Sequence, residues 1–216
     1  MKRQIAICTI IAGLSALFFL SAFGCTPGRQ QPEPMSYYVL HYDPPGKALP
    51  SGIKEPVIVH VKRLEAPAPY NTNHMIYSEN PYHRARYAYH QWMVNPADML
   101  TRLLVRDVQH AGTTDAAYAS MSRRNATLRV EGEIVDFYED NEKQQWEAVL
   151  TIRLALIGIS EAGREERTLF INTYAERVVL ERNNPHSLAR SMSKAMEAVS
   201  GQFMADMAES LQQQIP

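Results

Sequence analysis

Cysteine is almost missing from this 216-residue chain: there are two, Cys8 and Cys25. Two thiols cannot build a disulfide framework or a four-thiolate metal site. Net charge is missing as well, with 22 Lys plus Arg against 23 Asp plus Glu. That balance excludes the usual nucleic-acid binder, whose affinity rests on clustered positive charge. No glycine-rich loop runs into lysine and serine or threonine, and no His-Glu-x-x-His, serine-hydrolase elbow or dinucleotide fingerprint occurs. Phosphate-loop ATPase, zinc-peptidase, hydrolase and oxidoreductase chemistry therefore have no foothold here, and the sequence predicts no enzyme and no cofactor.

What is present begins at the N-terminus. Lys2 and Arg3 precede Ile5 to Phe23, which carries no charge. Nineteen uncharged residues could span a bilayer, so the end of the run has to decide. It ends Ala22-Phe23-Gly24-Cys25 and turns at once into the polar "TPGRQQPEP". Small residues beside the cut bond and a cysteine directly after it suit signal removal and thiol acylation. This segment resembles the lipobox of bacterial lipoproteins. Residues 1–24 are then the signal peptide, Cys25 is the lipidation site, and residues 25–36 are a Pro-rich tether. Thr26, rather than aspartate, follows the cysteine; by the sorting rule of that resemblance this implies an outer-membrane, periplasmic-face location.

Residues 37–216 read as one domain. Tyr37 to Leu40 and Val57 to Val61 are strand signals, and His74 to Ser78 with Arg84 to Trp92 form a hairpin. Asn95 then caps a helix opened by Pro96, with Leu100, Leu103, Leu104, Val108 and Ala111 in one stripe that ends at Gly112. Three long strands follow, Thr127 to Tyr138, Gln145 to Ile159 and Thr168 to Leu180, with turns at Asp140-Asn141 and Glu161-Ala162-Gly163. Along the middle strand Trp146, Ala148, Leu150, Ile152, Leu154 and Leu156 share a face. Asn184 and Pro185 open a second helix, striped by Leu188, Met192, Ala195, Met196, Val199, Phe203, Met207 and Leu211. Strands joined by tight turns favour an antiparallel meander. The expectation is α+β: a single domain, a mainly antiparallel sheet, and two amphipathic helices packed on one face.

The order of "YYVL", "VIVHVKRLEAPAPY", "HMIYSE", "YAYHQWMVNPADMLTRLLVRDV" and a closing amphipathic helix resembles the ABC-type transport auxiliary lipoproteins. Trp92 and Pro96 stand where that family shows a tryptophan and a helix-opening proline. The resemblance implies a non-enzymatic outer-membrane subunit of an intermembrane lipid transporter. Its partner would be a periplasmic substrate-binding protein with mammalian-cell-entry domains. An envelope-assembly or scaffold lipoprotein is the competing reading, and the oligomeric state, homo-oligomer or monomer, stays open.

Candidate side chains are few. Tyr87 and Tyr89 share one face of a regular strand; Arg84, Arg86, His90 and Trp92 share the other. Arg84, Arg86, Tyr87 and Tyr89 suit a docking surface, since aromatic rings and arginine dominate interface hot spots. Trp92 reads as core. His83 and His90, seven apart, point to opposite faces and cannot chelate together. Asp136, Glu139, Asp140 and Glu142 lack the glycine of a calcium loop and read as a solvated turn. Met192, Met196, Met204 and Met207 read as core stripe before ligand surface.

Overall fold

The computed structural model of the protein describes residues 33–46, 57–111, 116–119, 126–142, 145–160 and 165–213. In chain order they form β1 (Ser36–Tyr38), β2 (Ile58–Val61), β3 (His74–Ser78), β4 (Ala85–Trp92), α1 (Pro96–His110), β5 (Ala116–Tyr118), β6 (Leu128–Asp140), β7 (Glu147–Ile159), β8 (Glu166–Val179) and α2 (Pro185–Gln212). All eight strands join one sheet. Both helices start as their sequences dictate. The Asn95 and Asn184 side chains accept from the amides of Ala97 (2.9 Å) and Ser187 (2.8 Å), and a proline fills the first turn of each. The Gly112 stop and the Glu161-Ala162-Gly163 turn lie outside the described residues.

The α+β class holds; a mainly antiparallel sheet does not. β6–β7, β7–β8 and β3–β4 are antiparallel, but β1–β4, β2–β5, β2–β6 and β3–β6 are parallel. The cause is the length of β6. Its thirteen residues carry β7 along one edge and two short strands end to end on the other. β2 pairs at Leu128–Val130 and β3 at Glu139–Asp140. The chain passes through α1 between these strands and β6, and a crossover of that kind returns a strand parallel. Period-two alternation reports which face a residue takes, not which neighbour its strand pairs with.

The core lies between one sheet face and the helices. Val130, Ile134, Leu150, Ile152, Leu154 and Leu156 are fully buried there, continued by Val59 and Val61 of β2. α2 packs over β7 and β8, where Phe203 meets the rings of Phe170 and Tyr174; α1 packs over β2 and β5 and against α2. Every α2 stripe residue read from the sequence is buried, including Met192, Met196 and Met207, and Met204 is buried with them. These methionines are core. Gly132 leaves no room for a side chain between β6 and β7: a Cβ there would lie 2.3 Å from the Arg153 carbonyl oxygen.

One buried carboxylate ties the helices to the segment after β1. Asp107 of α1 is fully buried. Its Oδ2 accepts from the Tyr42 hydroxyl at 2.5 Å and from the Ser200 hydroxyl of α2 at 2.6 Å. Its Oδ1 accepts from Arg106 Nε at 2.8 Å. The same guanidinium donates to the Tyr42 carbonyl at 3.0 Å and lies 4.3 Å over that ring. Burial, and then the adjacent Asp107 charge, push the Tyr42 hydroxyl pKa far up, so it stays a donor. Asp107→Ala strips the acceptor from three donors at once and should cost about 3–5 kcal/mol in urea unfolding. Asp107→Asn, which keeps the shape and one oxygen, should cost less.

Candidate functional site

A bulge in β6 organises the end of the sheet where the aromatic segment lies. Ile134 pairs with Ile152, but Asp136 already pairs with Thr151, so one extra residue is inserted. Before the bulge, even-numbered residues face the helices; after it, Phe137 and Glu139 do, opposite the buried Leu150 and Ala148. The reading of Asp136 to Glu142 as a solvated turn is thereby corrected. β6 continues through Asp140, Glu139 is fully buried and Asp140 nearly so.

A second irregularity lies in β4. Ile76 pairs with Arg86 and His74 with Gln91, five residues on one strand against two on the other. This breaks the expected alternation. Tyr87 turns inward, with His90 and Trp92 on the same side: its ring meets Tyr77 (5.1 Å) and His90 (5.8 Å), and its hydroxyl donates to both Glu139 oxygens, 2.9 and 3.1 Å. Tyr89 stays 41% exposed. His90 Nδ1 lies 3.2 Å from the Tyr38 hydroxyl of β1. Trp92 is buried against Phe137 at 5.2 Å, as core. Among the described residues no cation pairs with Glu139, and burial raises its pKa to about 7 despite the tyrosine hydrogen bonds.

The opposite side of the same strands is polar. Arg84 lies 4.0 Å over the Tyr138 ring and donates to Ser78 Oγ at 2.8 Å. Tyr138 stacks on Tyr70. Ser78, Arg84, Tyr138, Asp140, Glu142 and Arg177 line a hollow of about 370 Å³. Arg177 bridges Asp140 and, at 2.9 Å, Glu147. Another hollow, of about 290 Å³, crosses β6 and β7, where Lys62 pairs with Glu131 (3.1 Å) and Arg153 with Glu133 (2.8 Å). In both hollows ion pairs cross between neighbouring strands.

Of the four expected docking residues, then, Arg86 and Tyr89 face solvent while Arg84 and Tyr87 are held against Tyr138 and Glu139. Sequence reasoning placed Glu139 in a solvated turn, because its burial is a product of the β6 bulge. Cys25 and Cys8 lie outside the described residues. Among the described residues no group of three or more His, Cys, Asp or Glu could hold a metal ion, and no helix is long and apolar enough to cross a membrane.

The model of one family, the ABC-type transport auxiliary lipoprotein component, matches residues 38–204, from β1 well into α2. The chain belongs to that family. Its fold is similar to that of protein XCC0632 from Xanthomonas campestris, at TM-score 0.71 and 15% identity over 82% of this chain and 97% of that one. It is also similar to the hypothetical protein CT253 from Chlamydia trachomatis, at TM-score 0.52 and 9% identity over 73% and 98%. No curated protein matches.

In this auxiliary lipoprotein Glu139 makes stability fall as pH rises. Burial lifts its folded pKa from the ordinary 4.5 to about 7, so between those values the folded state binds more protons than the unfolded state. The stabilisation of the neutral acid is complete below the lower value and lost by the upper one. The difference is on the order of 3 kcal/mol. Glu139→Gln should remove this slope, gaining on the wild type as pH rises from 4.5 to 7 in parallel urea titrations.

Proposed function

We propose that this auxiliary lipoprotein is a non-enzymatic, outer-membrane subunit of an intermembrane lipid transporter. Acylated Cys25 holds it at the periplasmic face. Its domain docks the periplasmic substrate-binding component that carries mammalian-cell-entry domains. The observation that carries the reading is the family match to residues 38–204, which starts thirteen residues after Cys25. Membership makes the chain an auxiliary component of an ABC-type transport system, and favours transport over cell-wall or lipopolysaccharide scaffolding. The lipid cargo, the membrane and the partner follow from the sequence resemblance.

The hairpin end of β3 and β4 supports the docking role. Tyr82 is wholly exposed at the turn and Arg86 is exposed in β4, while Arg84 is braced beneath them. A rigid base presenting a ring and a guanidinium suits an interface hot spot.

Cys25→Ser should abolish palmitate labelling and leave the unprocessed precursor. Unchanged labelling would refute the anchor. The two arginines should behave differently. Arg86→Glu should weaken capture of the mammalian-cell-entry partner about tenfold with thermal melting unchanged, because an exposed charge contributes little to stability. Arg84→Glu should lower stability by about 2 kcal/mol by losing the Tyr138 and Ser78 contacts. Equal binding by wild type and Arg86→Glu would move the docking surface elsewhere.

A further inference from the structure

Nine large hydrophobic side chains are exposed among the described residues, and six of them lie together. Met35, Tyr37 and Val39 come from β1 and its flanks; Tyr89, Met93 and Val94 come from β4 and the turn into α1. The pairing explains the cluster. β1 runs parallel to β4 with Tyr37 opposite Gln91, and the Met93 amide donates to the Tyr38 carbonyl at 2.8 Å. Over the paired stretch, strand alternation turns Tyr38, His90 and Trp92 inward and leaves Tyr37 and Tyr89 outward. Tyr37, Val39 and Met93 are each 54% exposed. Single exposed hydrophobics need no explanation, whereas a contiguous face of them marks an interaction surface.

We infer that this β1–β4 face rests on the lipid bilayer, its occupant being the membrane surface itself. The inference deepens the lipid-anchor reading and rests on it. Met35 is ten residues after Cys25. However those residues run, ten of them span at most about 36 Å. β1 is the first strand among the described residues and starts eleven residues after Cys25, so the headgroups lie within tether reach of the apolar face. Its chemistry suits that layer. Tyrosine and methionine bring amphipathic and adaptable apolar contact to a lipid interface. No Asp or Glu occurs at residues 35–40 or 85–96, so no carboxylate there opposes an anionic surface. The acyl chains supply the attachment; the face sets how the domain stands on the membrane.

The test uses the full chain, processed in cells and reconstituted into vesicles of phosphatidylethanolamine and phosphatidylglycerol. Tyr37→Cys, Met93→Cys and, as a distant control on β8, Ile171→Cys each carry an environment-sensitive fluorophore. With Cys25 acylated and Cys8 removed with the signal, the introduced thiol is unique. Spin-labelled lipid should quench residues 37 and 93 several-fold more strongly than 171, with melting unchanged in all three variants. Equal quenching at the three positions, in a chain that floats with the vesicles and carries the acyl mass on Cys25, overturns the inference alone. Crosslinking of residue 37 to residue 37 of another copy, with no lipid quenching, also overturns it and makes the face a contact between copies. A chain that does not float and carries no acyl mass overturns the anchor reading, and the inference falls with it.

Discussion

One extra residue in β6, between Ile134 and Asp136, sets the character of half the sheet. Upstream, β6 turns Val130 and Ile134 toward the helices and keeps its charges outside. Downstream the parity reverses, so Phe137 supplies the platform for Trp92 and Glu139 is drawn into the interior. Tyr138 is turned to the other side, where it supports Arg84. The hairpin end therefore has an apolar, tyrosine-lined inner side and an arginine-braced outer side. A strand without the bulge would put Glu139 in water and Tyr138 in the core.

The inward carboxylate is costly, and the surrounding residues limit the cost. Tyr87 shares its one hydroxyl hydrogen between the two oxygens of Glu139, and it can reach them because β4 carries its own irregularity at that level. The two distortions are complementary. Asp107 meets the same problem differently, with an arginine, a tyrosine and a serine converging from three parts of the chain. That cluster joins α1, α2 and the residues after β1, and so steadies the strand from which the tether leaves.

The exposed surface divides by chemistry. Outside β6 and β7, paired charges such as Lys62–Glu131 and Arg153–Glu133 keep a broad face wet, each worth little in stability. Toward β1 and β4 the surface becomes apolar, with no Asp or Glu at residues 35–40 or 85–96. At the hairpin tip it presents Tyr82 and Arg86. In the proposed arrangement the apolar side meets the membrane and the hairpin tip meets the partner.

Much of this was legible in residue order. Asn95-Pro96 and Asn184-Pro185 announced both helices, because capping and proline geometry are local. The faces of α2 and β7 were legible because periodicity alone determines them, and Trp92 was recognisable as core. Pairing was not. Four parallel contacts join segments far apart in the chain, and nothing in Val57 to Val61 names Leu128 to Val130 as its partner. β5, three residues long, was too short to show a period. The bulges were equally hidden: a one-residue offset is defined only against a neighbouring strand, yet it decided that Glu139 and Tyr87 meet and that Tyr87 and Tyr89 part. Local sequence determined the elements and their stripes, since capping and periodicity act over a few residues. Tertiary pairing decided which charges are buried, because burial depends on what another strand places opposite.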